Sequence, residues 1–174
     1  MYTAQTQIDS PLGRVLLART TRGLAGLWFT EGQRDFPGTL QAPSSPHDVL
    51  FRQVEAQLQR YWTEPRGMNA NLDVPFDFIG TPFQQAVWQA LLAIPHGKIC
   101  SYGDIARQLN MPKASRAVGM AVGRNPISIL VPCHRVVGQN RHLTGYSGGM
   151  HRKTALLVRE GHRVQGTRLG PADQ

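Results

Sequence analysis

The chain holds little cysteine, no long apolar run, and almost no acid in its second half. Among its 174 residues there are two cysteines, Cys100 and Cys133. They allow one disulfide at most, so a disulfide-stapled scaffold is excluded. The two thiols and the scattered histidines show no zinc-ligand spacing, and no metal site is expected. No apolar stretch is long enough to cross a bilayer. Met1–Gln5 lacks the basic and apolar regions of a secretory leader, which predicts a cytoplasmic protein with reduced thiols. No internal repeat is visible. Acid is concentrated in the first half. Residues 1–80 carry 7 Arg and 8 Asp or Glu, whereas residues 81–174 carry 12 Lys or Arg against only Asp104, Glu160 and Asp173. A half so short of carboxylates suggests a polyanionic partner, although a merely soluble basic surface has the same composition.

What is present divides near residue 80. Before it, Thr3–Asp9, Arg14–Ala18 and Leu24–Phe29 read as antiparallel strands separated by turns at Pro11–Gly13 and Thr20–Gly23. Gly32–His47 reads as a loop. Asp48–Trp62 places Val49, Val54, Leu58 and Tyr61 at helical spacing, and Asn71–Phe78 reads as extended. After it, Thr81-Pro82-Phe83-Gln84 has the form of a capping box with proline at the first helical position. These features predict an α/β N-terminal domain over 1–78, a small antiparallel sheet with a helix. A mainly α C-terminal domain is expected over 79–163, with a frayed, disordered tail over 164–174.

Within the second half, Ser101-Tyr102-Gly103-Asp104 starts a short helix that Asn110-Met111-Pro112 breaks, and a second helix runs from about Lys113 to Gly123. This spacing fits a helix-turn-helix, although an ordinary helical hairpin has the same pattern. The second helix is rich in small residues, including Ala117, Gly119, Ala121 and Gly123. Glycine costs about 1 kcal/mol relative to alanine in a helix interior, so something is expected to approach this helix closely. Lys113, Arg116 and Arg124 sit where they can reach phosphates.

Reactive chemistry concentrates in Pro132-Cys133-His134-Arg135-Val136. The apolar run Ile127–Val131 before it reads as a buried strand that would hold Cys133 rigidly at its end. Free cysteine is most often a packed core thiol, and Cys100 is read that way. The polar pair His134-Arg135 makes that reading costly for Cys133. A thiol near pKa 8.5 reacts as its anion, and His134 can take the proton directly or through a water. A carboxylate should orient the imidazole. Asp104 is taken up as a helix cap and Asp173 lies in the tail. Glu160 ends the helix His151–Arg159 just before Gly161, where its charge opposes the helix dipole. It is therefore the expected partner of His134.

The segment PCHRV resembles the active-site signature of the O6-alkylguanine-DNA alkyltransferases. The similarity spans about Thr81 to His162 and includes the Arg116 segment, Tyr146-Ser147-Gly148-Gly149 and Glu160-Gly161 in order. The resemblance implies a ribonuclease-H-like N-terminal domain and a winged-helix-like C-terminal one. It implies a monomer that enters the minor groove of duplex DNA, flips O6-alkylguanine and transfers the alkyl group irreversibly to Cys133, without a cofactor. It further implies that Cys133, His134 and Glu160 form a relay and that Tyr102 donates to the base N3. Arg116 would fill the gap left by the flipped nucleotide, and Asn125 would tie the recognition helix to the active-site strand. The Val136 carbonyl would read the exocyclic amine, while Tyr146, Ser147 and Gly148 wall the pocket. Arg135, Lys113, Ala117 and Gly119 fall with the substrate- and DNA-binding residues. One departure is Asn140-Arg141, where relatives often carry Asn-Gly, a pair suited to a type I′ turn. Three other readings stay open: a non-catalytic damage reader, an alkylation-sensing regulator and a Cys-His hydrolase.

Overall fold

The computed structural model describes residues 1–64 and 73–170. Strands β1 (Ala4–Ile8), β2 (Val15–Arg19) and β3 (Leu24–Phe29) form an antiparallel sheet in the order β1-β2-β3. β3 is buried along its whole length, because both its faces and its free edge are covered. On that edge the Leu27 amide donates to the Pro126 carbonyl at 2.9 Å, and the Ser128 amide donates to Leu27 at 2.9 Å. The N-terminal sheet is thereby joined to the loop that precedes Cys133. The extended segment before residue 80 also borders β3, with the Leu24 amide donating to Pro75 at 2.8 Å. Asn71 and Leu72 of that expected segment lie outside the described residues.

Helix α1 (Val49–Thr63) starts where the Asp48 carboxylate accepts from the Leu50 amide. It buries Val54, Leu58 and Tyr61 as the spacing predicts, with Leu50 and Phe51 beside them, whereas Val49 is exposed. Helix α2 (Pro82–Leu92) carries the expected capping box between Thr81 and Gln84. The short strand β4 (Cys100–Ser101) leads into α3 (Tyr102–Gln108), which Ser101 and Asp104 cap reciprocally. Asn110 takes a left-handed conformation at φ 58°, and α4 (Ser115–Gly123) follows. α3 and α4 pack on each other and on α2, where Trp88 Nε1 donates to the Ala121 carbonyl at 2.8 Å. The helix-turn-helix is thus fixed to a rigid support.

Apolar side chains from both halves merge into one core, with Leu27, Phe29, Phe51, Tyr61, Val87, Trp88, Ile105, Ile127, Cys133 and Leu156 among its members. Two expectations fail. Ile127–Val131 is not a strand: only Ile127 bridges to Leu27, and Ile129 turns the chain at φ 68°. A short apolar run does not distinguish strand from buried loop. Here the Asn125 amide supplies the loop's hydrogen bonds, donating to the carbonyls of Ile127 at 3.1 Å and Val131 at 2.9 Å. Nor are residues 164–170 frayed. β6 (Val164–Gln165) and β7 (Arg168–Leu169) form a hairpin, and Leu169 is buried with Val137, Leu143 and Leu157. Residues 171–174 lie outside the described residues.

Candidate active site

Cys133 opens a turn of 3-10 helix, Cys133–Arg135, that runs into β5 (Val136–Val137). β5 pairs in parallel with β4, Cys100 opposite Val136 and Ser101 opposite Val137. That pairing sets the first residue of α3, Tyr102, beside the thiol. Cys133 is 3% exposed, and it lines a cavity of about 200 Å³ with Tyr102, Gly119, Tyr146 and Ser147. The Asn125 amide, just past the end of α4, donates to Cys133 Sγ at 3.1 Å. One side chain therefore fixes the loop and the nucleophile together.

His134 and Glu160 meet as expected. His134 Nε2 lies 2.7 Å from Glu160 Oε1, and neither side chain is exposed. An ionised carboxylate only accepts, so Nε2 carries the hydrogen and Nδ1 carries the lone pair. Burial holds the His134 ring below its ordinary pKa, against the pull of Glu160, so the base is neutral at pH 7. His134 Nδ1 is shielded from solvent and has no hydrogen-bond partner among the described residues. Burial alone would push the Glu160 carboxyl up, but the ring of His134 and the guanidinium of Arg135 hold it well below the usual carboxylate range.

Arg135 does not stand with the DNA-facing residues. It is 4% exposed. Its Nε donates to Glu160 Oε2 at 2.8 Å, its Nη2 to Oε1 at 3.0 Å, and its Nη1 to the Ile94 carbonyl at 2.5 Å. The 3-10 turn aims this side chain into the core, where its charge compensates Glu160. Two further donors complete the carboxylate. Tyr61 of α1 donates its hydroxyl at 2.9 Å, and the Gly97 amide donates at 3.2 Å. Neither was legible as a site residue, since Tyr61 reads as one more apolar position on an amphipathic helix.

Burial pushes the Cys133 thiol up, while the Asn125 amide and the Lys153 charge pull it down. Lys153 is a second group that the sequence hides. It lies on α5 (Met150–Arg159), is 1% exposed, and donates Nζ to the Val136 carbonyl at 2.6 Å. Burial lowers its pKa to about 8, which leaves it mostly protonated at pH 7. The Val136 carbonyl keeps one lone pair for another donor.

The Tyr102 hydroxyl lies 2.6 Å from Thr144 Oγ1, and burial raises its pKa. Gly145, Tyr146 and Ser147 line the cavity as well, and Gly148 lies outside the lining, against the Tyr146 ring. A methyl group on Gly148 would stand 2.7 Å from the Tyr146 ring and 3.3 Å from Phe29, so only glycine fits. The N-terminal half supports this lining. The Arg34 amide donates to the Ser147 carbonyl at 2.9 Å, and Arg152 Nη1 donates to the carbonyls of Gly148 and Glu31 at 2.9 and 2.8 Å. Lys113, Arg116 and Ala117 are exposed at the start of α4. Arg116 lines a neighbouring cleft rather than the Cys133 cavity. Gly119 lies against the Tyr102 ring, so part of the helix's smallness serves an internal contact. Cys100 is half-buried and also faces the neighbouring cleft, with burial raising its pKa to about 11. Among the described residues no cluster of His, Cys, Asp and Glu suits a metal ion, and no helix is long and apolar enough to cross a membrane.

Two family descriptions match the chain. The ribonuclease-like domain of 6-O-methylguanine DNA methyltransferase matches residues 4–78, and the DNA binding domain of the same family matches residues 82–162. A methylated-DNA–protein-cysteine methyltransferase of Mycobacterium tuberculosis is 46% identical over 157 residues, which cover 90% of this chain and 92% of the relative. One from Methanosarcina acetivorans is 43% identical over 155 residues, 88% of this chain and 95% of the relative. The crystal structure of Mycobacterium tuberculosis OGT in complex with DNA superposes with a TM-score of 0.81 at 44% identity, covering 91% of this chain and 92% of that one. With both halves matched in order, the chain belongs to the 6-O-methylguanine DNA methyltransferase family.

Proposed function

We propose that this protein repairs O6-alkylguanine in duplex DNA by moving the alkyl group onto Cys133, once per molecule. The observation that carries the reading is the thiol at the base of a small cavity, backed by a buried His134–Glu160–Arg135 cluster. Cys133 gives its proton through a water to the bare Nδ1 of His134, and Glu160 stabilises the imidazolium. The thiolate attacks the alkyl carbon, a C–S bond forms, and the C–O6 bond breaks with its electron pair going to guanine. Tyr102 donates a hydrogen bond to the departing base. The proton from Cys133 returns through His134 to neutralise the purine, so atoms and charge balance. A thioether has no leaving route here, which makes the reaction stoichiometric. Lys153 lowers the cost of the buried thiolate, and the Val136 carbonyl and the Tyr146–Ser147 wall hold the base.

Reaching the cavity requires extrusion of the nucleotide, which costs a few kcal/mol and least for a poorly paired base. Exposed Arg116 at the start of α4 fills the vacated stack from the minor groove, while Lys113 and the small surface at Ala117 and Gly119 seat the backbone. Residues 1–78 and 79–163 act as a support and a reaction unit within one monomer. The cytoplasm, where thiols stay reduced, is its compartment. The test is a count of repaired lesions. A duplex with one O6-methylguanine should lose its methyl group until one lesion per protein is repaired, and Cys133→Ser should repair none. Continued turnover beyond one equivalent would sink the reading in favour of an ordinary hydrolase or transferase.

A further inference from the structure

A second cleft of about 850 Å³ lies beside the reaction cavity and shares Tyr102 with it. One side is formed by the start of α3 and of α4, including Arg107 and Arg116, and the other by Val137–Arg141. Its one carboxylate, Asp104, is paired with Arg107. Arg116 and Arg141 have no ion-pair partner among the described residues. The Arg141 Nε is shielded from solvent and has no hydrogen-bond partner among the described residues.

The backbone that presents Arg141 is strained. Asn140 and Arg141 both take the left-handed conformation, at φ 54° and 60°. Asparagine tolerates this, but arginine seldom adopts it, and glycine would adopt it freely. Strain of this kind persists where the surroundings enforce it. They do so here. Gly138 donates its amide to the His142 carbonyl at 2.8 Å, and Leu143 donates to Thr167 of the C-terminal hairpin at 2.8 Å. His142 also bridges to Arg168. The β6–β7 hairpin is therefore a clamp that holds a cation in an unfavourable conformation at the cleft.

We infer that Arg141 is an added DNA-backbone contact, and that the cleft it lines opposite the starts of α3 and α4 takes a phosphate of the lesion-bearing strand. The inference rests on the DNA-binding reading above. The occupant is a phosphate because the cleft's one carboxylate is already paired while Arg141 is not, the half that contains it carries 12 Lys or Arg against 3 acids, and the neighbouring cavity is the place for the base. A phosphate contact contributes equally to damaged and undamaged DNA.

The test compares wild type with Arg141→Gly and Arg141→Lys. Fluorescence anisotropy would follow binding to a lesion-bearing duplex and to its lesion-free counterpart across a salt series. One lost phosphate contact makes the slope of log K against log salt shallower by about 0.9, which is roughly eight-fold in affinity between about 1 M and 0.1 M salt. Arg141→Gly should show that change on both duplexes, with a melting temperature equal to or above wild type. Arg141→Lys should keep the wild-type slope. An unchanged slope in Arg141→Gly, with or without a loss of affinity, would overturn the inference, as would a loss confined to damaged DNA. A wild-type protein that binds neither duplex would instead remove the DNA-binding reading itself.

Discussion

Replacing Glu160 by glutamine probes the polar cluster behind the nucleophile. The carboxylate accepts five hydrogen bonds. Oε1 takes them from His134, Tyr61 and Arg135 Nη2, and Oε2 from Arg135 Nε and Gly97. Glutamine offers one oxygen and one amide. Whichever way it is turned, its NH2 faces two or three donors, and the guanidinium of Arg135 loses its counter-charge at 5% exposure. Breaking a buried ion pair by removing one partner costs about 3–5 kcal/mol, a large part of the 5–15 kcal/mol that stabilises a typical domain. Urea unfolding at pH 7 should show a loss of that size with an unchanged m value. The loss should depend on pH. The folded pKa of Glu160 is depressed, so its contribution is fully present above the unfolded carboxylate value of about 4.3 and declines as pH falls toward the folded value. Wild type and Glu160→Gln should therefore converge in acid. A loss below about 1 kcal/mol at pH 7, or a gap that does not narrow in acid, would refute the claim that Glu160 is an ionised hub.

Tyr61→Phe removes one donor but keeps the packing. It should cost about 1.5–3 kcal/mol, the range for hydrogen bonds to charged groups, and single-turnover repair should slow because His134 is less firmly oriented. Lys153→Met should slow repair, because the ammonium that favours the buried thiolate is gone. The folded Lys153 pKa is about 8 against an ordinary 10.5, so the unfolded chain binds more protons in that interval. Stability of wild type relative to Lys153→Met should rise by on the order of 3 kcal/mol between those limits. A flat difference in denaturation midpoints across that range would contradict a buried ammonium.

Local signals were legible in the sequence and tertiary ones were not. The capping pairs Thr81–Gln84 and Ser101–Asp104, the Asn110 break and the Gly161 terminus are each written within a few residues, and each is found where expected. The His134–Glu160 pair was reachable by elimination because the second half has so few carboxylates. The loop Ile127–Val131 was not, since its fold depends on the Asn125 side chain rather than on a strand partner. The inward aim of Arg135 is not legible, because neighbours in sequence do not reveal which way a 3-10 turn points them. Tyr61 lies 99 residues from Glu160, and no spacing links them. The C-terminal hairpin leaves little trace in the sequence because its two strands have two residues each and bury a single leucine, Leu169.

The central claim is that Cys133 is the acceptor. Intact mass should be recorded after mixing equimolar protein with a duplex that contains one O6-methylguanine, followed by peptide mapping. The account predicts a gain of one methyl group, located on Cys133, saturating at one per molecule and absent in Cys133→Ala. A methyl group on Cys100, or an unchanged mass with the lesion still bound, would contradict it.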